Sequence, residues 1–196
     1  MSPATSTPAQ RTRDAIIDAV VSVVEASSLE DLALGAVAKQ AGVARATIYR
    51  HFPGGRDELV RATIEREVAG FWRDLALAVE GEADLEGRLV RGLMIANQRI
   101  TEHDLLQRLL RYEPEEILHV LIESEPLVHT VLRVYLSELL GGVPLREGVD
   151  LDEASDYLTR MLLSHIGTAG RWDMRDEASV RHLVATQFLW GIVPET

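Results

Sequence analysis

Cysteine is absent from this 196-residue sequence. That excludes a disulfide framework, a thiolate nucleophile, an iron–sulfur site and a cysteine zinc site together. Lysine is nearly absent as well, Lys39 standing alone beside 19 arginines. Guanidinium groups make bidentate contacts that ammonium groups cannot, although codon bias explains the imbalance equally well. Nothing approaches about eighteen consecutive apolar residues, the length a membrane-crossing helix needs. The opening MSPATSTPAQ lacks the charged-then-apolar layout of a secretory signal. With 46% hydrophobic and 26% charged residues, an ordinary globular, cytoplasmic protein is the expectation.

Catalytic signatures are missing too. The chain contains no H-E-x-x-H, G-x-S-x-G, G-x-x-x-x-G-K-[ST], G-x-G-x-x-G or EF-hand loop. Its densest polar groups are Glu102-His103-Asp104 and Glu113/Glu115/Glu116. Adjacent residues on a helix point to different faces, so neither group is a ready-made metal site. No catalytic residue, metal or cofactor is expected.

What is present is a lopsided charge. The net value of −11 argues against nucleic acid as a partner until its distribution is read. Residues 1–73 carry 9 basic and 9 acidic side chains, whereas residues 74–196 carry 11 and 22. A neutral first third joined to an acidic remainder suggests two parts with different tasks.

The periodicity predicts helices almost throughout and no strand, an all-α chain. Thr7-Pro8-Ala9-Gln10 reads as an N-cap, a proline at the first helical position and a capping-box partner. Ile16, Ala19/Val20 and Val23 then share one face. Short helices follow over Leu34–Gln40 and Arg45–His51, with Gly42 placed to close the first of them through a left-handed backbone. A long helix from Asp57 to about Glu80 buries Leu59, Ile64, Val68, Phe71, Leu75 and Val79. Helical segments continue over Leu85–Thr101, His103–Tyr112 and Pro114–Leu140, the last interrupted near Ser124-Glu125-Pro126 because proline disfavours helix before it. A loop at 141–148 precedes two final helices, Leu151–Thr168 and Asp176–Ile192.

The segment Leu34–Phe52, LGAVAKQAGVARATIYRHF, carries the strongest pattern. Two short helices joined by Ala-Gly-Val form a helix-turn-helix, whose second helix can lie in a DNA major groove. Val37, Ala38, Val43, Ile48 and Phe52 point inward. Arg45, Ala46, Thr47, Tyr49, Arg50 and His51 point outward, able to reach base edges or phosphates, and Arg56 and Lys39 are candidates for the DNA backbone.

These residues resemble the TetR family of bacterial transcriptional regulators. The family pattern stands here as Val37-Ala38, Ala41-Gly42-Val43, Thr47-Ile48-Tyr49-Arg50-His51-Phe52-Pro53 and Arg56, over about residues 10–62. The resemblance implies a three-helix DNA-binding domain, a larger helical ligand-binding and dimerisation domain, and a homodimer. It assigns a flexible tail to 1–9, the DNA-binding domain to 10–56 with its motif at about 33–52, and the second domain to 57–196. It also carries a cation–phosphate contact to Arg56. The chain departs from the family at Ala44 and Ala33, where helix-capping hydroxyls are usual, and at Gly54-Gly55, one residue longer than the usual turn.

In the second domain, Leu158, Leu162, Val180, Leu183, Val184, Gln187 and Trp190 are expected at a dimer interface, being apolar beyond the needs of one buried stripe. The effector pocket is expected among the middle helices, lined from Met94, Asn97, Tyr112, His129, Met161, His165 and Trp172. The function so read is a repressor released from a palindromic operator by a small apolar effector. The alternative is a helical dimer that binds a ligand or a protein and keeps the helix-turn-helix as a relict.

Overall fold

The computed structural model describes residues 7–166 and 170–194, with backbone alone at 116, 119–121 and 124. Among the described residues it is all-α, with no strand. The helices are α1 (Pro8–Ala26), α2 (Leu34–Gln40), α3 (Arg45–His51), α4 (Gly55–Val79), α5 (Leu85–Thr101), α6 (Asp104–Tyr112), α7 (Pro114–Leu140), α8 (Leu151–His165) and α9 (Glu177–Leu183), which runs on into a π-helical turn at Val184–Phe188. No helix is long and apolar enough to cross a membrane, among the described residues.

Local chemistry sets most boundaries. The Thr7 hydroxyl accepts from the Gln10 amide at 3.2 Å and Pro8 opens α1, so the tail is shorter than the sequence suggests; its first six residues lie outside the described ones. The Gln10 side chain does not complete a capping box, since its amide turns forward to Asp14 at 3.0 Å. Asp84, Asp150 and Asp176 cap α5, α8 and α9 by accepting from amides of each first turn. Ala33 and Ala44 precede α2 and α3 with no side-chain bond at all.

The chain folds into two compact units, one made of the residues up to Glu67 together with Arg108–Ser124, the other of Val68–Gln107 with the residues from Glu125 onward. This corrects the boundary at 56/57. The first turns of α4 bury Leu59, Val60, Ala62 and Thr63, and the Arg66 guanidinium donates to the Asp14 carbonyl at 3.2 Å and pairs with Asp18 at 2.8 Å. The expected single stripe along α4 is therefore split, with Ile64, Val68 and Phe71 only half-buried between two well-buried ends.

In the first unit Ile16, Ile17, Val37, Ile48, Phe52 and Leu59 are fully buried. Val24 takes the inward place expected of Val23, and Val43 is half-buried. The returning segment ties itself to α1, since Arg108 donates to the Glu25 carbonyl at 2.9 Å and to that of Val24. There the guanidinium serves carbonyls at a helix end, where a cation is favoured. Glu113 accepts from the Glu30 amide at 2.9 Å.

In the second unit α5, α8, α9 and the second half of α7 enclose a core of Leu89, Leu93, Leu136, Leu158, Leu183 and Phe188 with their neighbours. The expected break in α7 does not occur, and Pro126 lies inside the helix. Proline removes one amide donor, but twelve helical residues precede it and fourteen follow, enough to carry the helix through. The last helix is also shorter than its periodicity suggests. Ordinary α-geometry stops at Leu183 and the π-turn widens the spacing through Phe188.

Candidate nucleic-acid interface and ligand cavity

The helix-turn-helix is built as its sequence suggests. Gly42 adopts φ +67, and the Gly42 and Val43 amides donate back to the Lys39 and Ala38 carbonyls at 3.3 and 3.0 Å. That is a Schellman closure, and the left-handed backbone it needs is open to glycine without a steric penalty. Ile48 and Phe52 anchor α3 from beneath, both fully buried, with the Arg13 guanidinium 4.8 Å from the Phe52 ring centre.

On the opposite side Arg45, Ala46, Tyr49 and Arg50 are exposed, Thr47 and His51 are half-buried, and Lys39 is exposed in the last turn of α2. Arg45 lies over Tyr49, its guanidinium carbon 5.8 Å from the ring centre and one nitrogen 3.4 Å from the hydroxyl. Lys39, Arg45 and Arg50 pair with no carboxylate among the described residues. Between Asp31 and Asp57 the sequence holds no acidic residue. In a chain of net charge −11 this is a local cationic surface, visible in the sequence once charges are counted along the motif instead of by thirds.

Arg56 does not join it. The longer turn at Gly54-Gly55, with Gly55 buried at φ +70, starts α4 so that the Arg56 guanidinium donates to the Leu29 carbonyl at 2.6 Å and approaches Asp57 at 3.5 Å. Its expected backbone contact is replaced by a structural one.

Residues 16–63 match the family model of bacterial regulatory proteins, tetR family. The helix-turn-helix domain belongs to the tetR family. Over that domain the chain is similar to bacterial regulatory proteins. Solved structures of similar fold include the fatty acid degradation regulator FadR from Bacillus halodurans, 19% identical, with 92% of this chain and 96% of that one covered and a TM-score of 0.59. The TetR family repressor AlkX from Dietzia sp. strain DQ12-45-1b, implicated in biodegradation of n-alkanes, is 21% identical over 96% and 99%, with a TM-score of 0.58. The transcriptional repressor QsdR from R. erythropolis, of the TetR family, is 19% identical over 96% and 99%, also at 0.58. At these identities the likeness is one of fold. No curated protein sequence matches the chain.

The second unit holds a cavity of about 210 Å³ between α4, α5, α7 and the end of α8. Its walls come from residues such as Leu75, Val79, Leu93, Ala96, Leu132 and Leu136, with Trp72, Tyr135, Arg73 and Arg88 among them. The middle helices are the expected region, but none of the seven expected residues lines it. Met94 and Met161 pack on the core from outside the cavity, and Asn97 is half-buried on α5 without lining it. Tyr112 is 72% exposed and belongs to the first unit. His129 pairs with Asp156 at 3.1 Å. His165 bonds to the Met161 carbonyl through Nδ1 at 2.8 Å and meets the Phe188 ring edge-on, while Trp172 stacks between Arg171 and His182. His129, His165 and Trp172, polar or aromatic among apolar neighbours, thus each meet a partner within the chain.

The expected dimer residues divide similarly. Leu158, Leu162, Val180, Leu183 and Val184 are closed inside the unit's own core, so they are not surface a partner reaches. Trp190 is 67% exposed and Gln187 half-exposed. Tyr157, 41% exposed, joins them by donating its hydroxyl to the Gln187 carbonyl.

Proposed function

We propose that the chain is a repressor that binds a palindromic operator as a homodimer and releases it when a small apolar effector fills the cavity of the second unit. The observation that carries the reading is the acid-free surface of α2 and α3, where Lys39, Arg45 and Arg50 pair with no carboxylate among the described residues of a strongly acidic chain. The remaining acidic surface repels phosphates, so DNA meets the protein at that one face. Arg45, Ala46, Thr47, Tyr49, Arg50 and His51 would face the major groove, with Lys39 on the backbone.

A seven-residue recognition helix reads few base pairs, and two copies on a two-fold site roughly double the contact energy. Trp190, Tyr157 and Gln187 supply a surface for pairing. An effector lowers DNA affinity to the extent that it prefers the shape that binds DNA less well. Such a protein works in the cytoplasm, where its DNA lies. The regulators and repressors of the same fold support this reading.

Fluorescence anisotropy tests it, with DNA flanking the gene, unrelated DNA as control, and several salt concentrations. Affinity for one palindromic segment at least ~10³-fold above control is the expected result. Loss of all binding even at low salt would favour the relict helix-turn-helix.

A further inference from the structure

Tyr49 holds the side chain of Arg45 in place on the exposed side of α3. The Arg45 Nη2 donates to the Tyr49 hydroxyl at 3.4 Å, and the guanidinium carbon lies 5.8 Å from the ring centre, within reach of a cation–π contact. The two residues stand four apart on one helix, a spacing at which side chains meet. The ring is seated in its turn. A Cβ added at Gly55 would stand 3.5 Å from Tyr49 Cε1, so the ring lies against the buried glycine that adopts φ +70. The same turn that starts Arg56 toward Leu29 therefore supports Tyr49 and, through it, Arg45.

An arginine fixed by a ligand gives up much rotamer freedom. Arg45, already held by Tyr49, gives up less. It pairs with no carboxylate among the described residues, and Tyr49 is 43% exposed. One donor of the guanidinium is engaged and the others of its planar fork are left to a ligand.

Such a fork selects its base. In the major groove guanine shows two neighbouring acceptors, N7 and O6, whereas adenine sets a donor amino group beside N7. Arg45 is the first residue of α3, and in a helix-turn-helix the opening residues of the second helix meet base edges while the first helix crosses the backbone. Its neighbours cannot read guanine in this way, since Ala46 has no side-chain donor and Thr47 has one hydroxyl proton.

We propose that Arg45 reads one guanine in each operator half-site and that Tyr49 is the positioning residue that orients it. The inference rests on the operator reading above and names the base together with the pair that recognises it.

The test selects binding sequences from a random duplex library with the full-length protein, then measures anisotropy on the best duplex and its single-base variants. One guanine per half-site is expected whose replacement weakens binding by about ten- to a hundredfold. Arg45→Ala should remove that preference and keep those at other positions. Arg45→Gln should move it toward adenine, whose amino group and N7 suit an amide. Replacing the guanine by 7-deazaguanine, which lacks the N7 acceptor, should weaken binding of the unaltered protein and leave the Arg45→Ala variant unaffected. Tyr49→Phe keeps the ring and loses the hydroxyl, so the guanine preference should fall by about two- to tenfold at an unchanged salt slope. A guanine preference that survives Arg45→Ala, or half-sites without such a guanine, overturns the assignment. If Tyr49→Phe weakens every duplex by one factor and leaves the preference intact, Tyr49 is a phosphate ligand and its positioning role falls. Enrichment of no sequence overturns the operator reading and this inference with it.

Discussion

The guanidinium of Arg56 and the carbonyl of Leu29 meet at 2.6 Å, joining the start of α4 to the loop between α1 and α2. That bond converts a residue placed by its motif as a phosphate ligand into a brace for the helix-turn-helix. Arg56→Ala should therefore lower unfolding stability by about 1 kcal/mol or somewhat more and leave the salt dependence of DNA binding unchanged. Lys39→Ala should do the opposite, reducing the salt slope by about one unit with stability nearly intact. Denaturant titration and anisotropy on the same two variants separate the roles.

Thr47, half-buried at the outward edge of α3, is the position to test for base reading. Thr47→Ala should relax sequence choice by about 1–3 kcal/mol at one base pair and weaken other sequences little. A panel of single-base operator variants measures it.

Both short helices of the motif begin at alanine, with no side-chain acceptor for their first amides. Ala33→Thr and Ala44→Ser should each raise stability by about 1 kcal/mol. Thermal unfolding of each single variant measures the gain.

Glycines in this chain divide by backbone. Gly42→Ala should cost about 1–2 kcal/mol, because φ +67 is strained for any residue with a Cβ. Gly92→Ala should instead stabilise by about 0.5–1 kcal/mol. A Cβ there, in the middle of α5, meets only the Val79 Cγ1 at 3.8 Å, an ordinary contact.

How much of this was legible in the sequence follows from the distance between cooperating residues. The helix-turn-helix is local. Gly42, Ile48 and Phe52 lie within eleven positions and their roles are dictated by turn chemistry and a 3.6-residue period. The cavity is not local, since Trp72, Leu93, Tyr135 and Leu162 come from four helices, and no single helix shows which side will face a gap. His165 and Trp172 stood out as polar or aromatic among apolar neighbours, yet each had an intramolecular partner that sequence spacing hides. The π-turn at Val184–Phe188 was equally invisible, because the same apolar residues fit an ordinary helix.

Acid should weaken the fold through Asp156. A hydrogen bond from Arg160, first, and then the charges of Arg160, His129 and Arg133 hold its carboxyl below the usual range. Its folded value is thus lower than the unfolded one of about 3.9, so its contribution is present above that pH and disappears as pH falls through the acid range. Asp156→Asn should flatten that part of the stability–pH curve, as followed by circular dichroism.

The return of Arg108 and Glu113 to the first unit, 83 residues after the partners they bind, sets the order of events during synthesis. When α1 to α3 leave the ribosome, the guanidinium that serves the α1 carbonyls has not been translated, and loop closure over that separation slows completion. The nascent N-terminal unit must wait for about half the remaining chain before it is whole. A fragment ending at Glu67 would lack both ties, so this DNA-binding unit is not a portable module that truncation can release.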